Sequence, residues 1–279
     1  MDKKDKKDKK RFNLITFNIH SDATLLAKMA KFVSKKKRTI VAIQEIPADS
    51  VINSISELNF VNFFSNPDGN LAFLFSRSLS VNKPNLSPKK FPMGHESRTL
   101  EISFPLNEKD NVYIVNVHGY SFGKKARKNN ELLFHDIKGK YGCYENVILL
   151  GDFNTNPFED NMTSTETFLA YRDFIDVINA KNNVFYNPSW WYLRERKKNK
   201  GTFYYGGDVP KWNFYDQILV SRKLAGEKKG GVANRSFKSH IKLFHIPDQL
   251  GKIKFSPSQK YDEENHISDH MPVLLTLEM

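Results

Sequence analysis

The sequence predicts an α+β fold in which two packed β-sheets are flanked by helices. The chain has 279 residues, of which 39% are hydrophobic, and this is enough to build a large core. Short apolar runs suited to strands recur along the chain and outnumber the segments with helical spacing. No Gly-, Ser- or Pro-rich linker separates these runs, and the polar candidates extend from residue 18 to residue 270. We therefore expect a single domain over residues 12–279.

Basic residues dominate the charge of the chain. Residues 1–11 read MDKKDKKDKKR, a charge run that buries no apolar surface, so we expect a disordered basic arm. Over the whole chain, 43 Lys and Arg stand against 31 Asp and Glu, a formal net charge of +12. This excess favours polyanionic partners: nucleic acid, an anionic membrane surface or a multiply phosphorylated small molecule.

Targeting and redox signals are sparse. No apolar segment of the signal-peptide type follows the arm, and no stretch approaches the roughly 20 apolar residues that a membrane span needs. The single cysteine, Cys143, excludes an intramolecular disulfide and is interpreted as a bystander. We expect no stable membrane insertion, a cytoplasmic location and, by default, a monomer.

The N-terminal half alternates strands with short helices. The first helix is predicted because leucines and other apolar residues recur at helical spacing, with lysines opposite and Ser21 and Asp22 as caps. Pro47 ends the second strand, and Asn66–Gly69, read NPDG, is the turn of a hairpin. Predicted strands cover residues 12–19, 39–46, 60–65, 71–75, 99–104 and 112–117, and predicted helices cover 23–36, 51–58 and 124–140.

The C-terminal half begins with Val147–Leu150, a four-residue apolar run typical of a buried strand. A predicted helix over residues 165–177 follows, then a loop-rich segment with a basic run at 194–200, a strand over 214–220 and a last turn-to-strand unit over 267–277. Its tryptophans are interpreted as core or rim packing, with base-stacking platforms as the alternative. They are Trp190, Trp191 and Trp212.

Polar residues stand where the apolar strands end, and the segment 147–157, read VILLGDFNTNP, is the central example. If this segment is extended, Asp152 and Asn154 point to the same side, toward one phosphate or one attacking water. The structural alternative is an Asx-rich turn closed by Pro157. The other strand ends supply Asn18, Glu45, His118, Asp216, Asp269 and His270.

These strand-end residues predict a binding site for a hard divalent cation. Glu45 is a carboxylate in an apolar run and, if buried, needs a metal or another cation beside it; its alternative is a strand-terminal Glu that faces the edge. Glu45 and Asp269, with the carbonyl oxygen of Asn18, suit Mg²⁺ or Mn²⁺. The chain has no cysteine cluster and no HExxH pattern, which argues against structural or protease-type zinc.

Seven short segments follow one another along the chain: TFNIH (16–20), IQE (43–45), SRTLEISF (97–104), NVH (116–118), GDFN (151–154), YDQILVS (215–221) and SDHMPV (268–273). In these segments and in their order the sequence resembles the endonuclease/exonuclease/phosphatase superfamily. The resemblance covers nearly the whole chain after the arm. It implies a deoxyribonuclease-I-like fold, a four-layer αββα sandwich of two mainly antiparallel or mixed sheets. It also implies a metal-dependent phosphodiesterase or phosphatase site at one end of those sheets.

The resemblance assigns roles to the strand-end residues. It implies that Glu45 is the chief metal ligand, with Asn18 and Asp269 nearby, and that Asp152 and Asn154 lie at the attacking water and the phosphate.

The two histidines of the motifs complete the implied site. His118 and His270 are placed at the phosphate oxygens, with Asp216 orienting His270. Arg98 resembles an arginine that faces the phosphate in several branches, and a surface cross-strand charge is its alternative. The chain departs from many members after His118, where it reads GYSFGKKARKNNELL without a Leu-Asp or Leu-Lys continuation.

The function expected from these features is hydrolysis of a phosphodiester, in which an activated water attacks phosphorus in line with the leaving oxygen. Mg²⁺ or Mn²⁺ is the expected cofactor, and DNA or RNA is the favoured substrate because of the basic charge. Small phosphoesters of the inositol phosphate or sphingomyelin type, and a non-catalytic nucleic-acid-binding scaffold, are the alternatives. We expect the basic segments 124–128 and 194–200 to flank the mouth of the site, with a solvated surface as their alternative.

Overall fold

A computed structural model describes residues 11–66, 70–79, 95–105, 111–121, 123–142, 146–190, 201–205, 211–225, 228–229, 232–233, 239–243 and 268–278. Its helices are α1 (Ala23–Ser34), α2 (Asp49–Ile52), α3 (Gly123–Tyr141), α4 (Asp160–Thr163), α5 (Phe174–Asn179) and α6 (Arg222–Ala225), with 3₁₀ helices at Ser56–Phe60 and Glu96–Arg98. Its strands are β1 (Arg11–Asn18), β2 (Thr39–Gln44), β3 (Asn62–Ser65), β4 (Leu71–Phe75), β5 (Thr99–Pro105), β6 (Asn111–His118), β7 (Val147–Asp152), β8 (Ala170–Tyr171), β9 (Phe185–Tyr186), β10 (Phe203–Tyr205), β11 (Lys211–Asn213), β12 (Asp216–Ser221), β13 (Lys228–Lys229), β14 (Val232–Ala233), β15 (Ser239–Leu243) and β16 (Val273–Glu278).

Two six-stranded sheets form the centre of the molecule. The first has the strand order β15-β16-β1-β2-β4-β3, and the second has the order β5-β6-β7-β12-β9-β8. The pairs β1–β2, β6–β7 and β8–β9 are parallel, and the remaining pairs in these sheets are antiparallel. The predicted architecture of two mixed, mainly antiparallel sheets is confirmed.

Alternating side chains give each sheet two buried faces. In β7, Ile148 and Leu150 point into the core between the two sheets, whereas Val147 and Leu149 pack with residues of α3. In β1, Leu14 faces the same core between the sheets. The side chains at the alternating positions of β1 point to the other face and pack with α1. The result is the four-layer αββα sandwich, and it explains why these strands read as continuous apolar runs.

Of the two predicted caps, Ser21 and Asp22, Asp22 is the one that caps the helix, and the two strands of the predicted hairpin are present. Asp22 caps α1 by accepting hydrogen bonds from the backbone N–H groups of Thr24, at 2.7 Å, and Leu25, at 3.0 Å. The strands β3 and β4 pair antiparallel, as the hairpin prediction requires. The strand predicted from residue 12 begins at Arg11, whose backbone pairs with Glu278.

Two helix predictions are wrong. The segment 165–177 holds a turn, the short strand β8 and the start of α5. Leu169 has a φ of 46° in the left-handed region, which interrupts a right-handed helix, and Asp173 begins a new one by accepting from the N–H of Ile175 at 2.8 Å. The predicted helix 51–58 is instead the last part of α2 followed by a separate 3₁₀ helix.

Several predictions fall outside the described residues. These concern the arm over residues 1–10, residues 67–69 of the hairpin turn, Cys143, Trp191, the basic run 194–200 and Ile267. The other two tryptophans have aromatic neighbours: the ring of Trp190 lies 6.3 Å from that of Phe158, and the ring of Trp212 lies 5.2 Å from that of Tyr204. None of the described helices is both long enough and apolar enough to span a membrane.

Candidate active site

The carboxyl ends of two parallel strand pairs bring the polar residues together. Asn18 ends β1, and Glu45 follows β2, its parallel neighbour. His118 ends β6 and is in register with Asp152, which ends the parallel strand β7. Asp216 opens β12 and is in register with Asp152 from the other side. Because parallel strands end at the same edge, each sheet delivers its polar residues to one end of the sandwich.

Glu45, His118 and Asp152 form a group that fits a divalent cation. One potential ligand atom from each lies within 4.8 Å of the others. The amide of Asn18 donates to Glu45 Oε1 at 2.9 Å and to Asp152 Oδ2 at 3.1 Å, which holds the two carboxylates near each other. The Nδ1 atom of His118 is buried and has no hydrogen-bond partner among the described residues. Two carboxylates and an imidazole in this arrangement suit a metal ion that offsets their repulsion.

The backbone explains how Glu45 leaves its apolar strand. Its φ is 53°, in the left-handed region, so the chain turns at this residue and the side chain is only half-buried. The side chain lies 3.5 Å from His118 Nε2 and 3.6 Å from His20 Nδ1. Glu45 therefore faces the other site residues.

Two further residues predicted to bind metal have different surroundings. The side-chain oxygen of Asn18 accepts from the N–H of His20 at 3.0 Å, and its backbone oxygen accepts from Ser268 Oγ at 3.0 Å. The group found by geometry does not include Asp269, although Asp269 Oδ1 is buried without a hydrogen-bond partner in the part of the chain that the structure describes. The roles of Asn18 and Asp269 as metal ligands remain predictions.

His270 and Asp216 form a buried pair, with Nδ1 of His270 and Oδ2 of Asp216 2.9 Å apart. Nε2 of His270 lies 3.7 Å from Asp152 Oδ2. Burial alone lowers the pKa of His270, but the charges of Asp216 and Asp152 outweigh it and raise that pKa to about 10. Burial raises the pKa of Asp216 to about 6, although His270 opposes this effect. His270 is therefore a buried cation between two carboxylates at neutral pH.

The second histidine is in the opposite protonation state. Burial lowers the pKa of His118, and the charges of Asp152 and Glu45 only partly compensate. The positive charges of Arg98 and His270 lower this pKa further. At neutral pH the imidazole of His118 is neutral, so it can accept a proton or bind a cation.

Asn154 reaches the site by a turn. Its φ is 48°, and its N–H donates to Asp152 Oδ1 at 2.9 Å, which is an Asx-turn geometry. The prediction that this segment is extended, with the side chains of Asp152 and Asn154 on the same side, is wrong at Asn154. The side-chain amide of Asn154 donates to the backbone oxygen of Gly119 at 3.2 Å and so keeps Asn154 beside Asp152. The Asx turn, which the sequence offered as the alternative to a functional site, is itself part of the site.

Arg98 lies near the site and is held by aromatic and backbone contacts. Its guanidinium lies 4.4 Å from the ring centroid of Tyr120, and its Nη1 donates to the oxygen of Gly119 at 3.4 Å. The hydroxyl of Tyr120 is 2.8 Å from Nδ1 of His95. Arg98 is close enough to lower the pKa of His118, which places it near the site, but its binding of phosphate remains a prediction.

Sequence reasoning missed several residues that support the site. Thr202 Oγ1 accepts from the N–H of Asp216 at 3.0 Å, and the ring of Phe203 packs 4.7 Å from that of His270. The hydroxyl of Ser268 accepts from the N–H of His270 at 3.0 Å. Of these three residues, only Ser268 could have been found from the sequence, because it opens the segment SDHMPV. Thr202 and Phe203 support the site through contacts that only the tertiary fold creates.

Residues 135–279, just over half of the chain, match the Endonuclease/Exonuclease/phosphatase family. No curated protein sequence gives a significant match.

Solved structures share the fold at low sequence identity. D. rerio TDP2 complexed with single strand DNA product is 13% identical, with 96% of this chain and 99% of that chain covered and a TM-score of 0.60. TDP2 from C. elegans is 17% identical, with 98% and 77% covered and a TM-score of 0.60. An AP endonuclease from Archaeoglobus fulgidus is 13% identical, with 96% and 100% covered and a TM-score of 0.55. Together with the sequence match, the shared fold leads to one conclusion: this chain belongs to the Endonuclease/Exonuclease/phosphatase family, whose members are divalent-metal-dependent phosphoric ester hydrolases.

Proposed function

We propose that this chain cleaves the backbone of DNA or RNA as a divalent-metal-dependent phosphodiesterase. One observation carries the proposal: the group Glu45, His118 and Asp152 lies against the buried pair His270 and Asp216. This arrangement combines a site for a cation with a positively charged proton donor, and both stabilise the charge that develops on the oxygens during phosphoryl transfer to water. A non-catalytic scaffold has no use for so many costly buried charges in one place.

Mg²⁺ or Mn²⁺ is the proposed cofactor. Glu45, Asp152 and His118 would hold it, with Asn18 and Asp269 as proposed further ligands. When bound, such an ion supplies positive charge to the phosphoryl oxygens and lowers the pKa of a coordinated water.

The protein's own groups divide the remaining work. Asp152 is the proposed base that orients the attacking water, because its Oδ1 is fixed by the N–H of Asn154. His270 is protonated and donates a hydrogen bond to a phosphoryl or leaving oxygen, and Asp216 keeps it in that state. Neutral His118 is the second candidate for the base, and in that role it would leave the metal to the carboxylates of Glu45 and Asp152. Arg98 is proposed to bind a phosphate oxygen.

Nucleic acid is the proposed substrate because the charge of the chain and the position of α3 favour it. The net charge is +12, and α3 begins just after the site end of β6 with the exposed residues Lys125 and Lys128. The DNA complex of D. rerio TDP2, a protein of the same fold, supports the same substrate class. We further propose that the residues after the basic arm form one domain, since both sheets contribute to one site. The sequence assigned residues 1–11 to the arm and 12–279 to the domain, but Arg11 belongs to β1, so the proposed arm is residues 1–10.

A substrate screen tests the proposal. The purified protein is incubated with Mg²⁺ or Mn²⁺ and with duplex DNA, single-stranded DNA, RNA, abasic duplex, inositol phosphates or sphingomyelin. We expect cleavage of nucleic acid that stops on addition of a chelator. Hydrolysis of a small phosphoester without any nuclease activity would replace this proposal with the small-phosphoester function. Nucleic-acid binding without hydrolysis of any of these substrates would favour the scaffold.

A further inference from the structure

The turn that follows β1 places a second histidine beside the candidate metal group. His20 is exposed, and its Nδ1 lies 3.6 Å from Oε2 of Glu45. At the other oxygen of the same carboxylate, Nε2 of His118 lies 3.5 Å from Oε1. Glu45 therefore stands between two imidazoles. Of the segment TFNIH, the proposed site uses only Asn18, and the position of His20 gives the last residue of that segment a place at the site as well.

The backbone of this turn holds His20 against Glu45. The φ angles of His20, Ser21 and Glu45 are 50°, 59° and 53°, in the left-handed region that residues other than glycine seldom adopt. The N–H of Ser21 donates to the backbone oxygen of Glu45 at 2.7 Å, and the N–H of His20 donates to Asn18 Oδ1 at 3.0 Å. Backbone strain of this kind persists where the surrounding structure enforces it, and it is concentrated at functional sites. The turn and Glu45 are thus fixed against each other.

The distances between the imidazoles and Glu45 are close to those between two ligands of one ion. Metal–ligand bonds of about 2.1 Å place neighbouring ligand atoms about 3.0 to 3.4 Å apart. The two observed distances, 3.5 Å and 3.6 Å, exceed this range by little. His20 is outside the group whose ligand atoms all lie within 4.8 Å of one another, so its ring has to turn toward an ion held there. The side chain of His20 is 46% exposed, which leaves room for such a rotation.

An imidazole ligand changes which ion the site favours. Oxygen ligands and water suit Mg²⁺, whereas imidazole suits the first-row transition metals, whose affinity for such ligands rises along the series from Mn²⁺. The carboxylates of Glu45 and Asp152 alone serve Mg²⁺ and Mn²⁺ alike. Each imidazole that joins them adds affinity for a transition-metal ion and adds little for Mg²⁺.

We propose that His20 is a further ligand of the metal ion and that it makes the site select Mn²⁺ over Mg²⁺. It reaches the ion from the exposed side of Glu45. If His118 serves as the base, His20 remains as the imidazole ligand, so the selectivity does not depend on the role of His118. The inference rests on the proposed metal-dependent phosphodiesterase function and narrows its cofactor to one of the two proposed ions.

Competition between Mn²⁺ and Mg²⁺ tests the selectivity in the absence of substrate. The EPR signal of unbound Mn²⁺ gives the Kd of Mn²⁺, and displacement by Mg²⁺ gives the second Kd. His20→Asn removes the imidazole and His20→Asp puts a hard oxygen in its place, and both residues tolerate a left-handed backbone. The wild type is expected to bind Mn²⁺ at least about tenfold more tightly than Mg²⁺. His20→Asn should weaken Mn²⁺ binding about tenfold and Mg²⁺ binding less than about threefold, and His20→Asp should shift the preference toward Mg²⁺.

Pulsed EPR of the bound Mn²⁺ detects the proposed ligand directly. The wild-type complex should show a ¹⁴N coupling from a coordinated imidazole that the His20→Asn complex lacks. His135→Asn is the matched control, because His135 is also exposed and its Nδ1 also lies 3.5 Å from a carboxylate, that of Asp136 in α3. This control should leave both Kd values and the ¹⁴N couplings unchanged.

These measurements separate failure of the inference from failure of the proposed function. If the preference for Mn²⁺ depends on His20 but neither ion supports cleavage of nucleic acid, the ligand assignment stands and the phosphodiesterase proposal falls. If nucleic acid is cleaved but His20→Asn leaves the ratio of the two affinities and the ¹⁴N couplings as in the wild type, the inference is overturned and the function stands. A wild-type protein that binds Mg²⁺ as tightly as Mn²⁺ would overturn the inference without any variant.

Discussion

Asn18 holds together two carboxylates that repel each other in the absence of a cation. Its amide donates to both Glu45 and Asp152, at 2.9 Å and 3.1 Å. The hydrogen bonds set the spacing of the carboxylates but supply no full positive charge, and a bound divalent ion does. Metal affinity should therefore depend strongly on the charge of Glu45.

Replacing Glu45 by Gln keeps the size of the side chain and removes its charge. We expect phosphodiester turnover to fall by about two orders of magnitude or more, because a site with few protein ligands loses metal affinity and water activation together. The rise in Tm that Mg²⁺ produces in the wild type should also disappear. Thermal unfolding and turnover with and without Mg²⁺ check both expectations. Glu57→Gln, on the 3₁₀ helix Ser56–Phe60, is the control, and wild-type activity that survives a chelator would contradict the metal assignment.

His270 depends on Asp216 for its positive charge. The folded-state pKa is raised to about 10 against an ordinary value of 6.5, so the imidazolium persists until the pH rises through about 10. Burial alone would lower the pKa, and the carboxylates of Asp216 and Asp152 oppose this most strongly, with a smaller contribution from Asp269. Loss of either carboxylate should therefore deprotonate His270 at a lower pH.

Asp216→Asn is expected to move the alkaline limb of the pH–rate profile to lower pH, because the active form carries a protonated His270. The fold should remain intact, since Asn can still accept from Nδ1 of His270. Profiles of kcat/KM for the wild type and Asp216→Asn measure the shift. In a cycle with His270→Ala, additive effects on the logarithm of the rate would show that the two residues do not act as a unit.

At the scale of elements, the close approach of β6 and β7 positions half of the site. A Cβ atom added at Gly151, whose φ is 156°, would lie 1.8 Å from the backbone oxygen of Val117. This glycine precedes Asp152, and Val117 precedes His118, so the spacing of the two strands sets the spacing of the two site residues. A second link joins the sheets, where the buried Gln44 side chain donates to Asn116 Oδ1 at 2.6 Å.

Gly151→Ala should force β6 and β7 apart and lower the free energy of unfolding by about 3 kcal/mol. Phosphodiester turnover should fall as well, because His118 and Asp152 separate. The matched substitution is Gly139→Ala in α3, where an added Cβ has no atom within 4 Å and helix propensity predicts a gain of about 0.5 to 1 kcal/mol. Urea unfolding measures both changes, and equal stabilities for the two variants would contradict this account of Gly151.

At the scale of the whole molecule, the direction of the helices decides which lysines can meet a substrate. The helix α3 begins after the carboxyl end of β6, so its first turns lie at the site end. The helix α1 also starts at that end and runs back along its sheet, so its last turn lies at the end where β2 begins. Exposed lysines occur in both places, but only those on α3 are near the candidate site.

Neutralising Lys125 and Lys128 together should weaken nucleic-acid binding and flatten its salt dependence. The log–log slope is expected to fall by roughly 0.7 to 0.9 for each lysine–phosphate ion pair that the substitutions remove. Fluorescence anisotropy with a labelled oligonucleotide, measured over a range of salt concentrations, gives the slope. The charge-matched control is the double variant Lys31→Gln and Lys35→Gln, which changes one lysine in the last turn of α1 and one just after the helix. The same slope for both double variants would mean that the lysines of α3 are only a solvated surface.

Local patterns in the chain are enough to predict which segments become strands and which polar residues stand at their ends. Buried strands read as continuous apolar runs because both faces of each sheet are covered, and the polar residues Glu45, His118 and Asp152 stand where the strands β2, β6 and β7 end. The order of the seven segments predicted the fold and the family. The helix predicted over 165–177 failed because helical spacing does not reveal a left-handed residue such as Leu169.

How the candidate residues meet depends on tertiary packing. The grouping of Glu45 with His118 and Asp152 depends on the register of β6 with β7 and on the way the two sheets pack. A cavity beside Asn154 is likewise lined by both Tyr215 and Glu159, which are far apart in the chain and belong to no common motif. Distances of this kind arise from packing between elements far apart in the chain, and local patterns of residues do not encode them.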